Sequence, residues 1–281
     1  MGTSTFSTGP GKGVPFDPEW LDDIEEPFSD PGDPDSGNDR NDEDGDDNRQ
    51  ELERLAMAPP RRFMNARRAI RNYFQTGDSE YFVKAVGHYS RTGMGGAGNI
   101  ASRMRIPAKT AANLFVFLQS SRERTDQTIS EWVSELKSRN ASAVELINEI
   151  IRKVAPAGGS LDETSTRDSI GKALHDLLEL EPNVDLFNLS DDNIWSIIES
   201  YLSHEAFIRL CLDIGQALEK STISHRERVI RENQMNEYLR AEIAVQLGKL
   251  RISGRHYSSR QLEHLMRSAL KNTFIVYEGA L

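Results

Sequence analysis

The sequence predicts an all-α protein, a multi-helix bundle that follows a disordered, acidic N-terminal tail. Apolar residues recur at three- and four-residue intervals in one segment after another, and no pair of alternating runs flanks a hairpin turn. Charge separates the tail, because residues 1–60 hold 4 Lys or Arg against 17 Asp or Glu (−13), and residues 61–281 hold 30 against 27 (+3). We therefore expect a tail over 1–58 and a helical domain over 59–281, with two sub-bundles dividing near 155–165.

The tail combines a Gly/Ser/Thr-rich start, an apolar island and an acidic run. The stretch 28–50 has one aromatic residue and no aliphatic ones, so it cannot bury enough surface to offset the entropy of ordering. The island could order on a partner or fold back onto its own domain, and both readings stay open. Its apolar members are Val14, Pro15, Phe16, Trp20, Leu21, Ile24 and Phe28.

The helices are predicted in order from apolar spacing, caps and breakers. After Pro59-Pro60, one face of the first helix is apolar and consists of Phe63, Ala66, Ile70, Tyr73 and Phe74. Gly77 ends this helix, Asp78 caps the next one over 78–92, and Pro107 suits the first turn of a helix over 107–121. Further helices are expected at about 126–138, 142–154, 165–180, 190–219, 225–250 and 258–273.

The helix that begins after Ser190 carries the broadest apolar surface. Ser190 is a good cap, and Asp191 and Asp192 suit the positive end of the helix dipole. Apolar residues then cover more than one face, which predicts a central helix packed on several neighbours. They are Ile194, Trp195, Ile197, Ile198, Tyr201, Leu202, Phe207, Leu210, Cys211 and Ile214.

Motifs for catalysis, metals and cofactors fail one by one. Cys211 is the only cysteine, which excludes a disulfide framework and a thiolate zinc site. His204-Glu205 starts like a zincin motif, but Ile208 stands where the second histidine belongs. The glycines of 93–98 match a dinucleotide fingerprint in form, yet the preceding segment is helical and no acidic residue follows about 20 positions on. We expect no catalytic residue, metal or cofactor, and an unrecognised enzyme is the third-ranked hypothesis.

The basic residues gather beside the glycine-rich segment. Residues 61–110 hold 10 Lys or Arg against Asp78 and Glu80, a local balance of +8. Four glycines permit positive φ and close backbone approach, so the segment could bind an anion or a partner backbone, or simply cross another helix tightly. Three uses of the basic patch stay open: contact with nucleic-acid phosphate, contact with an acidic partner, and masking by the chain's own tail.

Four segments together resemble the QatB family, a component of the bacterial Qat anti-phage defence system. They are MGTSTFSTGPGKGVPF, RRFMNARRAIRNYFQTGD, HYSRTGMGGAGNIASRM and DLFNLSDDNIWSIIESYLSHEAFIRLCLDIGQAL. The MGTS start joined to the HYSRTG-glycine segment is the most specific part. The acidic run around 30–50 departs from a simple Pro-rich spacer, so nothing is carried over to it.

The resemblance implies partners rather than a reaction. Qat systems pair this component with a P-loop ATPase, a QueC-like enzyme and a TatD-like metal-dependent nuclease, and it has no assigned catalytic motif. The chain would then be a non-enzymatic adaptor, and a substrate whose Gly2 amine, freed by removal of Met1, is modified by the QueC-like subunit. Near neutral pH a free α-amino group is in its neutral, nucleophilic form far more often than the Lys12 side chain. Gly2 also has no Cβ that would obstruct entry of the amine into a deep active site.

The residues expected to contact partners come from the island, the basic patch and the glycine segment. They are Val14, Pro15, Phe16, Trp20, Arg67, Arg68, His88, Tyr89, Arg91, Gly93, Gly95, Gly96 and Arg105. The alternative function is a helical protein that binds DNA through the basic patch of 61–110. The sequence shows no apolar stretch of about 18 residues that would predict a membrane span, and we expect a bacterial cytoplasmic location without membrane contact.

Overall fold

The structure, a computed structural model, describes residues 58–155, 161–219, 223–251 and 257–281. These ranges are helical and contain no strand, which confirms the predicted fold class. The predicted disorder of 1–58 falls almost wholly outside them. The helices are α1 (Met64–Thr76), α2 (Ser79–His88), a π-helical turn (Tyr89–Gly93), α3 (Ala97–Arg103), α4 (Arg105–Glu123), α5 (Gln127–Ser138), α6 (Ala143–Val154), α7 (Leu161–Leu180), α8 (Asp191–Ile214), α9 (Gln216–Glu219), α10 (His225–Leu250) and α11 (Ser259–Gly279).

Helix starts follow the predicted capping signals. The Asp78 side chain accepts a hydrogen bond from the Glu80 amide, and the Ser190 side chain accepts one from the Asn193 amide. Reciprocal capping boxes open α6, α10 and α11. Each such cap satisfies an amide that has no partner inside its helix, and losing one costs about 1 kcal/mol. Gly77 ends α1 in the left-handed conformation, with φ of 77°.

Two predicted boundaries are wrong. The glycine segment does not stay a loop, because α3 forms within it and ends just before α4 begins at Arg105. The expected helix over 190–219 is interrupted at Gly215, where α8 ends and the short α9 begins. A Cβ at Gly215 would lie 2.2 Å from the Cys211 carbonyl oxygen, so a larger residue here would force the backbone to shift.

The core is built around α8 and α11. Helix α8 packs on α4, α7 and α10, which confirms the prediction of a central helix with several neighbours. Helix α11 packs on α2, α3, α4 and α10. All five residues of the predicted α1 face are buried in this core. One hydrophobic cluster contains Ile150 and Val154 together with Ile170 and Leu174, so it is continuous across the predicted sub-bundle division near 155–165, which stays a prediction.

The described helices were also searched for membrane spans and metal sites. None of them is both long and apolar enough to cross a bilayer. Within the described ranges, His, Cys, Asp and Glu side chains nowhere form a group of three or more that could hold a metal ion.

Candidate partner interface

A π-helical turn, Tyr89–Gly93, continues α2 without a break; we call it the π-turn. Single π-helical turns are rare and are frequent at functional sites. Tyr89, Ser90 and Gly93 are buried, whereas Arg91 is exposed. The π-turn therefore holds three residues in the core while it presents one guanidinium to solvent.

Tyr89 anchors the π-turn inside the bundle. Its hydroxyl donates a 2.8 Å hydrogen bond to Oδ2 of Asp213, and its ring stacks on Phe63 with 5.9 Å between ring centroids. Phe274 of α11 lies on another side, 6.4 Å away. Burial and then the Asp213 carboxylate raise the pKa of Tyr89 well above its ordinary value. Tyr89 was expected to contact a partner, but as a fully buried residue it would influence a partner only through the groups it holds.

Asp213, in the last turn of α8, is surrounded by arginines. Arg67 donates a 2.9 Å hydrogen bond from Nη2 to the Asp213 backbone oxygen. Burial raises the pKa of the Asp213 carboxyl, and the Tyr89 hydrogen bond and the positive charges of Arg209, Arg103 and Arg62 oppose that rise. We call Asp213 with these four arginines the Asp213 cluster.

Phe63 joins this cluster to the π-turn. The Arg62 guanidinium lies 4.8 Å from the centroid of the Phe63 ring, and that of Arg67 lies 5.7 Å from it. A Cβ at Gly93 would lie 2.6 Å from the same ring, so any larger residue there would displace Phe63. Gly93 thus serves a close internal contact, which agrees with the tight-crossing alternative for this one glycine.

The π-turn is also tied to the last helix. Ser90 donates a hydrogen bond from Oγ to the Glu278 carboxylate of α11. Its backbone oxygen accepts a 2.9 Å hydrogen bond from the Gly96 amide, which closes the glycine segment back onto the π-turn.

Two of the remaining glycines have the predicted backbone freedom, and one lacks an internal reason. Gly95 and Gly96 have φ of 79° and 113°, values that side chains other than glycine rarely adopt. Gly98 lies inside α3 with an ordinary helical φ, it is exposed, and a Cβ there would meet nothing within 4 Å. Helical glycine costs about 1 kcal/mol relative to alanine. Neither packing nor backbone geometry of the described chain accounts for Gly98.

Several basic side chains of the patch face solvent. Arg61, Arg68 and Arg71 are exposed, and we call these three the arginine surface. Arg68 and Arg71 are three residues apart on α1 and Arg67 and Arg71 four apart, so the arginine surface is continuous with the Asp213 cluster along the helix. The sequence predicted Arg67 and Arg68 at this surface but did not single out Arg61 or Arg71.

The other predicted patch residues lie at intermediate positions. Arg105 and His88 are half-buried, at the start of α4 and the end of α2. Burial and then the nearby Arg91 charge lower the pKa of His88. Gly2 lies outside the described residues. So do the four island residues that were expected to contact a partner, which are Val14, Pro15, Phe16 and Trp20.

A second polar cluster lies between α7, α8 and α10. Oδ2 of Asp176 lies 3.1 Å from Nε2 of His204 and accepts a 2.7 Å hydrogen bond from Ser200. Nδ2 of Asn236 lies 3.1 Å from Nδ1 of His204, and Nζ of Lys172 lies 3.7 Å from Oδ1 of Asp176. We call these five residues the His204 network. Burial raises the pKa of Asp176, but the hydrogen bonds from His204 and Ser200 outweigh burial and lower it to about 2.

The His204 network is arranged for structure rather than for nucleophilic chemistry. Ser200 donates to the carboxylate and not to the imidazole, so the histidine is not placed as its base. His204 is almost fully buried. This position explains the zincin-like His204-Glu205 pair: both residues are buried and fill polar positions on α8.

Sequence reasoning missed the centre of the Asp213 cluster. Asp213 follows an apolar run, and an aspartate in such a run requires a buried partner. That rule predicts that Asp213 has a buried partner but does not identify it. The partner, Tyr89, lies 124 residues away in the chain, so no local sequence pattern connects the two.

Comparison with known proteins gives one family. A family model described as Qat anti-phage system associated protein QatB matches residues 95–277, which is 183 of the 281 residues. The match includes Arg103, Arg209 and Asp213 and begins after the π-turn. Neither the curated proteins nor the solved structures contain a significant match.

Proposed function

Because this chain belongs to the QatB family of the Qat anti-phage system, we propose that it serves as a non-catalytic adaptor subunit of a Qat defence complex. The family match over 95–277 is the observation that carries the proposal. The adaptor role is supported by the arginine surface, whose three arginines are exposed on one side of the bundle. Its partners would be the Qat ATPase subunit, the QueC-like subunit and the TatD-like nuclease.

The amine of Gly2 would be the chemical handle of this adaptor. The QueC-like subunit would use ATP to activate a deazaguanine carboxylate, and the neutral Gly2 nitrogen would attack it to form an amide and release the activating group. Free α-amino groups have a pKa of about 7.7–8.0 and lysines about 10.4, so the chain terminus supplies the better nucleophile near neutral pH. A chain of sixteen residues can extend over at most about 53–58 Å, enough to enter a partner's cleft.

Mass spectrometry of the intact chain, co-expressed with its genomic neighbours, tests this handle. We expect an added mass at the N-terminus. Gly2→Trp retains Met1, because the residue after it is bulky, and should abolish both the added mass and phage protection while complex formation persists. Thr3→Ala keeps Gly2 and should change neither. An unmodified wild-type chain together with a protective Gly2→Trp variant would leave the tail as a tether only.

The apolar island is tested separately. If it docks the tail near the QueC-like subunit, replacing Phe16 and Trp20 with Ala should weaken modification and co-purification together. Full modification of this double variant would remove the island from the proposal and leave Gly2 in it.

Nucleic acid is the second candidate partner, and the exposed arginines favour it. Duplex DNA should then bind the chain with an affinity that falls steeply between 50 and 200 mM salt, about tenfold or more for several phosphate contacts. Replacing Arg68, Arg71 and Arg91 with Glu should remove this binding without loss of helical signal. Arg67 is left intact, since it donates to Asp213. No DNA retention at low salt would contradict this candidate.

A further inference from the structure

The first helix of the bundle has charge of one sign only. Residues 61–77 hold five arginines and no Asp or Glu. Arg61, Arg68 and Arg71, the arginine surface, face solvent, and within the described ranges no ion pair joins them to a carboxylate. This exposed surface is therefore suited to an anionic polymer.

The acidic tail precedes Ala58, which lies three residues before Arg61 of the arginine surface. Ala58 is buried, Arg61 has a left-handed φ of 55°, and Phe63 packs against the π-turn. Ten residues separate residue 47 from Ala58, and a chain of that length can extend over at most about 36–40 Å. The 13 residues of α1 extend over about 20 Å. The acidic residues nearest the bundle are thus within reach of the whole of α1.

We propose that the acidic run, residues 30–50, docks in cis on the arginine surface and excludes other anionic molecules from it. The run holds nine Asp or Glu and two Arg, a net charge of −7. A short connection within one chain gives the run an effective concentration of about a millimolar at the surface, so weak contacts suffice to occupy it. Cis docking does not depend on the chain's role in a Qat complex.

The principal alternative location is an apolar groove between α5, α6 and the end of α7. It has a volume of about 310 Å³ and is lined mainly by side chains such as Leu136, Leu146 and Phe187. Its lysine, Lys137, is paired with Asp185 at 3.2 Å. An acidic run has little to bind there, so charge selects the arginine surface.

A competition measurement on the full chain tests cis docking. The probe is a fluorescein-labelled peptide of residues 30–50, followed by fluorescence anisotropy at about 50 mM NaCl. In the tail-neutral variant the run carries amides at its most acidic positions, Asp42→Asn, Glu43→Gln, Asp44→Asn, Asp46→Asn and Asp47→Asn. We expect this variant to bind the peptide about tenfold more tightly than the wild type, because the surface is no longer occupied in cis. The difference should vanish near 1 M NaCl, where screening extends over about 3 Å.

Substitutions on the bundle locate the docking site. Adding Arg68→Glu and Arg71→Glu to the tail-neutral variant should abolish peptide binding. Adding Arg68→Gln and Arg71→Gln instead should reduce the affinity to a value between those of the tail-neutral variant and the Glu variant. The matched control replaces two exposed basic residues of α11, Arg260→Glu and Lys271→Glu, and should leave binding unchanged. Circular dichroism verifies that each variant stays helical.

Several results would overturn cis docking. Equal peptide binding by the wild type and the tail-neutral variant would show that the tail does not occupy the surface, and no binding to either would show that the surface does not take an acidic peptide. Binding that survives Arg68→Glu with Arg71→Glu would place the site elsewhere. Binding of duplex DNA but not of the peptide would make this a nucleic-acid surface.

Discussion

The Asp213 cluster and the His204 network are both polar groups held between helices of one bundle, yet their carboxylates have different surroundings. In the His204 network the Asp176 carboxylate accepts a hydrogen bond from Ser200, lies 3.1 Å from Nε2 of His204 and is close to Lys172. In the Asp213 cluster the carboxylate accepts from the Tyr89 hydroxyl and lies in the field of several arginines. At the first site burial is outweighed by hydrogen bonds, which lower the pKa of the carboxyl, whereas at the second site burial dominates and raises it.

The largest effect should come from removing the aromatic ring that supports the Asp213 cluster. Phe63→Ala deletes a buried ring that contacts Tyr89, Arg62 and Arg67 and should lower the free energy of unfolding by about 3–5 kcal/mol. Urea unfolding measures the loss. Met64→Ala, at an exposed neighbouring position, should stay within about 0.5 kcal/mol. Amide exchange should accelerate in α1 and the π-turn and not around the His204 network, and uniform acceleration would contradict two separable clusters.

The next effect compares the two carboxylates by pH. Asp176→Asn should cost about 1–3 kcal/mol near neutral pH, because the hydrogen bonds at Oδ2 then meet a neutral amide in place of a charged acceptor. The pKa of Asp176 is lowered to about 2, so its contribution is present above about pH 4 and is lost as the pH falls toward 2. The cost of Asp176→Asn should shrink over that window.

Asp213→Asn should show the opposite pH dependence. The pKa of Asp213 is raised in the fold, so ionising it destabilises the protein. This destabilisation is absent below the unfolded pKa, grows as the pH rises from the unfolded to the folded pKa, and is constant above that. An amide oxygen in its place still accepts from the Tyr89 hydroxyl. We expect the stability of the variant relative to the wild type to increase as the pH rises. Thermal unfolding of both proteins between pH 3 and 7 measures this difference. Parallel pH profiles for the two variants would contradict the distinction between the clusters.

The smallest effect concerns two exposed helical glycines. Gly98→Ala and Gly248→Ala should each raise stability by up to about 1 kcal/mol, because a Cβ at either position meets nothing within 4 Å. Only Gly98 lies beside the π-turn, so only Gly98→Ala should lower the recovery of Qat partners on co-purification. Equal recovery of Qat partners with both variants would show that Gly98 is not part of the interface.

The parts of the fold that local signals determine are predictable from the sequence. Asp78 and Ser190 start their helices, Gly77 ends α1, and the apolar face of α1 is buried as its spacing indicates. The break at Gly215 and helix α3 carry no such signal. Gly215 ends α8 in the ordinary right-handed helical region, and Gly96 precedes α3 without a side-chain cap.

The candidate interface is less predictable than the helices. Net charge locates the basic patch, and helical spacing makes Arg67 and Arg68 neighbours of Arg71. The pairing of Tyr89 with Asp213 connects residues far apart in the chain, and no local pattern indicates it. Tyr89 was expected to contact a partner because it lies in the basic, glycine-rich segment of the sequence. Its pairing with Asp213 and its burial become visible only in the fold.

The hydrogen bond from Ser90 to Glu278 sets a time order for biosynthesis. Glu278 follows Ser90 by 188 residues, which a ribosome adding about 5–20 residues per second translates in roughly 10–40 s. Throughout that interval the π-turn lacks its last anchor. The surface that the π-turn supports is therefore complete only when synthesis has reached the end of α11, so a partner that requires this surface binds after those residues have been made and not earlier.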